Sequence, residues 1–305
     1  MNALEAMSVD HVLLTRFNLP SRGYESLVRA KHGWLRERLE LFEAYCLPSV
    51  RSQSCRPSCW IIYFDPDSPA WLMDRVRVLS ADGLFIPVLR AEVSSTQLIE
   101  DIETALGRRG EFLLTTNLDN DDGLATDFIE RLRSVAPTSG ARAIYLVNGL
   151  IRTHDSTYVR TDEDNAFCSV LSPWADPRTC WADWHNRLRR AMPVVHLHGD
   201  PAWLQVVHES NVSNRVHGRR VPPANYASHF PGLLTELNNP TVGDLLVDHL
   251  ILGPIRSIRD VVRSAAKFVV QAISGREKID SLRIWWSMQP LVVRSKEPDP
   301  GQSTR

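Results

Sequence analysis

Between Val12 and Thr115, short apolar runs alternate with helix-patterned stretches, and this alternation constrains the fold more than any other feature of the chain. Val12-Leu13-Leu14-Thr15 reads as a buried strand. From Tyr24 to Tyr45, apolar residues recur at Leu27, Trp34, Leu35, Leu39, Phe42 and Tyr45, spacings that fit one face of a helix. Pro48 and the segment Gln53 to Pro57 are expected to end that helix. Trp60-Ile61-Ile62-Tyr63-Phe64 is a second strand and stops at the turn signal Asp65-Pro66-Asp67. A helix from Ala70 to Ser80 follows, then a third strand from Leu84 to Leu89. Pro87 marks that strand as an edge or a strand end. Thr96 to Leu106 is helical, and Glu111 to Thr115 is a fourth strand that runs directly into an acidic cluster. Strands alternating with helices at this spacing imply βαβ units and a mainly parallel sheet. In such sheets ligands bind beyond the carboxyl ends of the strands. Arg16 and Asn18 follow the first strand, Asp65 follows the second, and Asp119 and Asp121 follow the fourth.

The remainder is less regular. A helix is expected from Thr126 to Val135, and a hairpin from Ala143–Ile151 and Thr157–Arg160. The stretch from Pro173 to Asn214 is rich in Trp and His. Val242 to Ser274 reads as helices, and the tail after Lys296 has the composition of a disordered segment. These divisions suggest one domain over 8–235, with halves at 8–125 and 126–235. A helical extension over 236–296 and a tail over 297–305 follow.

The chain has 305 residues; Lys plus Arg number 35 and Asp plus Glu 36, for a formal net charge of −1. That balance argues against nucleic acid as a partner. Cys55 and Cys59 form a CxxxC pair with no second pair at zinc-site spacing, so the cysteines are expected to be free thiols in a reducing compartment. The first ten residues lack a basic segment followed by an apolar one, so no signal peptide is readable. No apolar stretch reaches the roughly 18 residues of a membrane span, and a cytoplasmic location is expected. Arg256, Arg259, Arg263 and Lys267 form one stripe of an amphipathic helix. That stripe is either the solvated face of a packed helix or a contact for an anionic membrane at its inner face.

The run Thr115-Thr116-Asn117-Leu118-Asp119-Asn120-Asp121-Asp122 carries the chemistry. Two carboxylates one residue apart at a strand end can hold a divalent cation, Mn²⁺ or Mg²⁺, against a diphosphate leaving group. An EF-hand loop counted from Asp119 fails, because its fifth position is Gly123 and its sixth Leu124. A solvated turn capping the helix near Asp127 is the plainer alternative.

Several segments together resemble the putative rhamnosyltransferase-like family of bacterial GT-A glycosyltransferases. They are His11 to Leu19, Leu47 to Ser54 followed by Trp60 to Asp65, Thr115 to Gly123, and Trp203 to Arg215. The resemblance spans roughly residues 10–220; Asn117 stands where family members often carry Arg. It implies a GT-A-like, Rossmann-like α/β fold with a mixed, mainly parallel sheet flanked by helices. It also implies a nucleotide-sugar donor, dTDP- or UDP-linked, and a glycan or lipid-linked acceptor. Asp65 would read the base of the nucleotide. Thr15, Arg16, Asn18 and Asn117 would line the same site, and Asp119 would contact ribose or metal. Asp121 and His208 would be metal ligands. Glu209, Asp183 or Asp122 would supply the carboxylate near the acceptor, and Trp181, Trp184 and Trp203 could stack on an acceptor sugar. Two rivals remain on the same residues. A metal-dependent phosphohydrolase or nucleotidyltransferase would be favoured by a second metal site built from His196, His198 and Asp200. A carbohydrate-binding protein on the same fold would not turn over.

Overall fold

The computed structural model describes residues 8–20, 33–208 and 216–256. The chain runs through β1 (Val9–Arg16), α1 (Trp34–Leu41), a π-helical turn (Phe42–Cys46), α2 (Leu47–Arg51), β2 (Cys59–Phe64), α3 (Ala70–Leu79) and β3 (Ile86–Leu89). Next come α4 (Ser95–Leu106), β4 (Phe112–Asn117), β5 (Gly123–Leu124), α5 (Phe128–Arg133), β6 (Arg142–Leu146), β7 (Asn148–Arg152), β8 (Thr157–Thr161) and β9 (Ser169–Pro173). After a 3₁₀ turn, β10 (Val194–Leu197), β11 (Trp203–Val206), β12 (Arg219–Val221) and α6 (Val242–Val247) complete the path, with a second π-helical turn (Asp248–Leu252) after α6.

The main sheet has seven strands in the order β10-β6-β9-β4-β1-β2-β3. β1 pairs in parallel with both β4 and β2, and β2 in parallel with β3. Only β9 runs against its neighbours β4 and β6. Pro87 lies on β3, the edge strand, where its missing N–H breaks no ladder. Alternation along β1 separates two cores. Leu13 packs with Phe42, Trp60, Ile62 and Phe64 on one face, while Val12 and Leu14 pack with Ile61, Tyr63, Leu98 and Ile102 on the other. α4 begins with a capping box of Ser94 and Gln97 and ends at Gly107, whose φ of 69° suits the left-handed cap.

A second sheet, β12-β8-β7-β11-β5, draws β5 from before residue 125 and the rest from after it. The run Ala143–Ile151, expected as one arm of a hairpin, is in fact two strands in two sheets. β6 closes onto β9 and β10, and after the buried Val147 the chain enters the second sheet as β7, which pairs antiparallel with β8. A continuous apolar run is buried in both places, so its pattern does not mark the crossing.

Pro48 does not end the first helix. It sits in the first turn of α2, directly after the π turn, where a missing N–H costs little, and helix continues to Arg51. All five cysteines are unpaired. Among the described residues no helix is long and apolar enough to cross a membrane. Helix is described as far as Arg256; Arg259, Arg263, Lys267, the rest of the 236–296 extension and the 297–305 tail lie outside the described residues.

Candidate functional site at the carboxyl edge of the main sheet

Parallel register brings the ends of β1, β2 and β4 side by side: Arg16 is opposite Tyr63, and Leu14 is opposite Asn117. Asn18, just past β1, ties two of these ends together. Its Nδ2 donates to Ser68 Oγ at 3.0 Å and its Oδ1 accepts from the Asp65 N–H at 3.1 Å. Asp65 Oδ1 accepts from the Asp67 N–H at 2.9 Å, a local turn that leaves the carboxylate partly exposed at the sheet edge. Thr15 does not line this edge. Alternation points it into the core, where it is fully buried and accepts from Trp60 Nε1 at 2.9 Å.

Trp181 closes the other side. Its Nε1 donates to Asn117 Oδ1 at 2.8 Å, and the Arg16 guanidinium lies 4.0 Å from its ring centroid. Asn117 in turn donates to the Ala166 carbonyl at 2.9 Å and to Asp119 Oδ1 at 3.3 Å. Trp181, expected as an acceptor platform, therefore packs against the residues expected to meet the nucleotide. Trp203 is fully buried, stacked on Phe167, and Trp184 is 62% exposed.

The acidic run is a turn pinned from two sides. The Leu118 N–H donates to the Leu14 carbonyl at 3.0 Å, and Asn120 Nδ2 donates to the Phe17 carbonyl at 2.8 Å. From the second sheet, the Val206 N–H donates to Asp122 Oδ1 at 2.9 Å. The pairing of β5 with β11 sets that contact and also delivers His208, two residues beyond β11, to the run. His208 Nε2 lies 3.1 Å from Asp121 Oδ2 and its Nδ1 3.4 Å from Glu37 Oε1.

Arg38 of α1 was not singled out by the sequence. Its Nη1 lies 2.5 Å from Asp121 Oδ2 and donates to Asn120 Oδ1 at 3.1 Å. No motif surrounds it; only the helical spacing from Trp34, whose ring it covers, hints that it faces inward.

The three carboxyls differ sharply. Burial opposes charge on Asp121, but the His208 hydrogen bond and the Arg38 guanidinium hold its carboxyl below the usual range. Burial, then the charges of Asp121 and Asp119, push the Asp122 carboxyl well above it. Asp119 is reached by solvent, yet desolvation and the neighbouring Asp121 charge push it up as well. Asp122 is 1% exposed and bonded to backbone, so it positions the turn and does not face an acceptor.

Asp183 is exposed and accepts from the N–H of Trp184; no hydrogen bond or ion pair joins it to the acidic run. Glu209 lies outside the described residues. His196 meets the Glu163 carbonyl at 3.2 Å, and His198 and Asp200 offer their own carbonyls to Arg131. Among the described residues no three His, Cys, Asp or Glu side chains are gathered to enclose a metal ion. His196, His198 and Asp200 are thus not gathered into the second metal site that would favour the phosphohydrolase rival. At the acidic run, the donor types suit a hard cation, with carboxylate oxygens on Asp119 and Asp121. Two carboxylates are an incomplete shell that substrate phosphate oxygens customarily complete.

No curated protein matches the chain. Among solved structures it is similar to the inositol-1-phosphate CTP transferase of T. maritima, at 10% identity over 68% of this chain and 92% of that one, with a TM-score of 0.37. It is also similar to TarS 1–349 of S. aureus, at 11% identity over 65% of this chain and 60% of that one, with a TM-score of 0.35. HddC of Yersinia pseudotuberculosis matches at 11% identity over 64% and 92%, with a TM-score of 0.34. The sequence itself matches one family model over residues 10–220, a stretch that contains both sheets up to β12 and the whole acidic run. The chain therefore belongs to the family described as "Putative rhamnosyl transferase".

Proposed function

We propose that this edge transfers a sugar, rhamnose in the first instance, from a dTDP- or UDP-linked donor to a glycan or lipid-linked acceptor in surface polysaccharide synthesis, with Mn²⁺ or Mg²⁺ as the cofactor. The observation that carries the reading is the meeting of Asp119, Asp121 and His208 beyond the ends of the parallel strands, beside Arg16 and Asn117. When bound at Asp119 and Asp121, the cation would neutralise charge developing on the departing diphosphate. The chain's own residues do the rest. Asp65 offers a carboxylate oxygen to an N–H of uracil or thymine. Arg16, held by the Trp181 ring, presents a guanidinium to base or phosphate. Asn18 and Asn117 fix the loops that carry these groups. Glu209 follows His208 directly in sequence and is assigned to the acceptor hydroxyl on that position alone.

A lipid-linked acceptor has one support of its own. α6 and the turn after it expose Leu246, Leu250 and Ile251, at 54%, 73% and 53%, just before the basic run that starts at Arg256.

Thermal denaturation with UDP, dTDP and their sugar conjugates, with and without Mn²⁺, tests the reading. Metal-dependent stabilisation by at least one nucleotide is expected, and Asp121→Ala should abolish it while the variant still folds. Absence of stabilisation by every nucleotide would sink the proposal, and retained turnover in Asp121→Ala would remove that residue from the mechanism.

A further inference from the structure

Asp121 Oδ2 is already engaged from two sides, by Arg38 and by His208 Nε2 at 3.1 Å. The Arg38 guanidinium lies 2.5 Å from it, in a pair whose side chains are only 15% and 7% exposed. An ion pair so shielded is weakly screened and closes off the very atom a divalent cation would use. The Arg38 side chain is nonetheless not fully satisfied: its Nε is buried without a hydrogen-bond partner, and the same Nη1 that meets Asp121 is shared with the neutral amide oxygen of Asn120. A guanidinium with an idle donor next to a diphosphate site has a better partner available, because phosphate oxygens accept forked N–H pairs.

We infer that Arg38 is a diphosphate-binding residue that competes with the divalent cation for Asp121, so that nucleotide and cation enter together. The inference rests on the proposed donor site. The donor's diphosphate draws the guanidinium away from Asp121 Oδ2, and that carboxylate, with Asp119, would then be free to hold the cation whose charge offsets the diphosphate. No covalent bond changes; one ion pair is exchanged for another. Cation alone then binds weakly, since it must break the Arg38 pair, whereas cation with nucleotide binds well.

Removing the guanidinium should therefore move two affinities in opposite directions, which loss of a merely structural contact would not do. Mn²⁺ binding is measured by electron paramagnetic resonance, alone and with UDP or dTDP, on wild type, Arg38→Gln and Arg38→Lys. For Arg38→Gln, Mn²⁺ alone should bind tighter by on the order of tenfold, the equivalent of one charged hydrogen bond. Nucleotide should bind weaker by a similar factor, and Arg38→Lys should recover part of both. Weaker or unchanged Mn²⁺ binding in Arg38→Gln, with wild type binding both ligands, overturns the inference and leaves the donor site standing. Wild type that binds neither Mn²⁺ nor nucleotide overturns the donor site and this inference together. If Arg38→Gln does not fold, Arg38→Lys, which keeps a charge but loses the planar fork, must still tighten Mn²⁺ binding over wild type by part of that factor, and failure to do so counts equally against it.

Discussion

His11 ties the stability of the central strand to pH in a way that can be worked out in advance. It lies on β1, fully buried, with Nε2 2.8 Å from Thr116 Oγ1 and Nδ1 without a partner. Burial first, and the charge of Arg133 second, lower its pKa from 6.5 to about 3. In the unfolded chain it titrates near the ordinary value of roughly 6.5. Between those two values the unfolded chain takes up a proton that the folded protein refuses. Stability is thus fully present above the unfolded pKa and is lost as pH falls toward the folded one. At about 1.4 kcal/mol per pH unit the whole window amounts to roughly 5 kcal/mol, of which about 2 kcal/mol is lost between pH 6.5 and 5. His11→Leu removes the titration with little change in volume, and Thr116 keeps its bond to Ser169 Oγ at 2.8 Å. Urea unfolding of both proteins at pH 7 and pH 5 isolates the effect, because the carboxylates common to both cancel in the difference. Wild type should lose about 2 kcal/mol more than His11→Leu over that interval. Parallel pH dependences would mean that His11 protonates inside the fold, and would refute its burial as the cause.

Two further substitutions test the frame around the site. Asp122→Asn keeps an oxygen for the Val206 N–H and removes a charge that burial disfavours, so the unfolding free energy at pH 7 should rise in urea unfolding, with turnover preserved. Because the folded pKa is raised, the wild-type deficit should shrink as pH falls; lost turnover in a folded Asp122→Asn would instead make Asp122 the base. Gly149→Ala should lower stability by about 1–3 kcal/mol in chemical unfolding, since overpacking is costly in a filled core. A Cβ at Gly149 would come within 2.0 Å of the Trp203 ring, which is itself buried and bonded through Nε1 to the Leu146 carbonyl. An unchanged unfolding midpoint would show that the ring has room to move.

Much of the site was legible before any coordinates because each strand carries its own boundary signals. Arg16, Asn18, Asp65, Asp119 and Asp121 all follow the ends of apolar runs, whereas Asn117 is singled out only by the resemblance. A parallel sheet places such ends along one edge whatever the detailed packing. Thr15 was misjudged for a related reason: a strand end is legible to about one residue, and one residue reverses the side-chain direction. The crossing at Val147 was hidden because a strand buried in one sheet and a strand buried in the next share the same apolar pattern.

Sequence alone determined the parallel frame from β1 to β4 and the edge at Pro87, and it set an acidic run directly after β4. Those are local properties, written in the period of apolar residues and in turn signals. Only the tertiary structure decided how the acidic run is shared out. Asp121 lies between Arg38 and His208, Asp122 is bound beneath to Val206, and Asp119 faces solvent. Arg38 lies 83 residues before Asp121 and His208 87 after it. Their meeting depends on how α1 and β11 pack around β1 and β5, and no local pattern carries the energy of contacts so far apart along the chain.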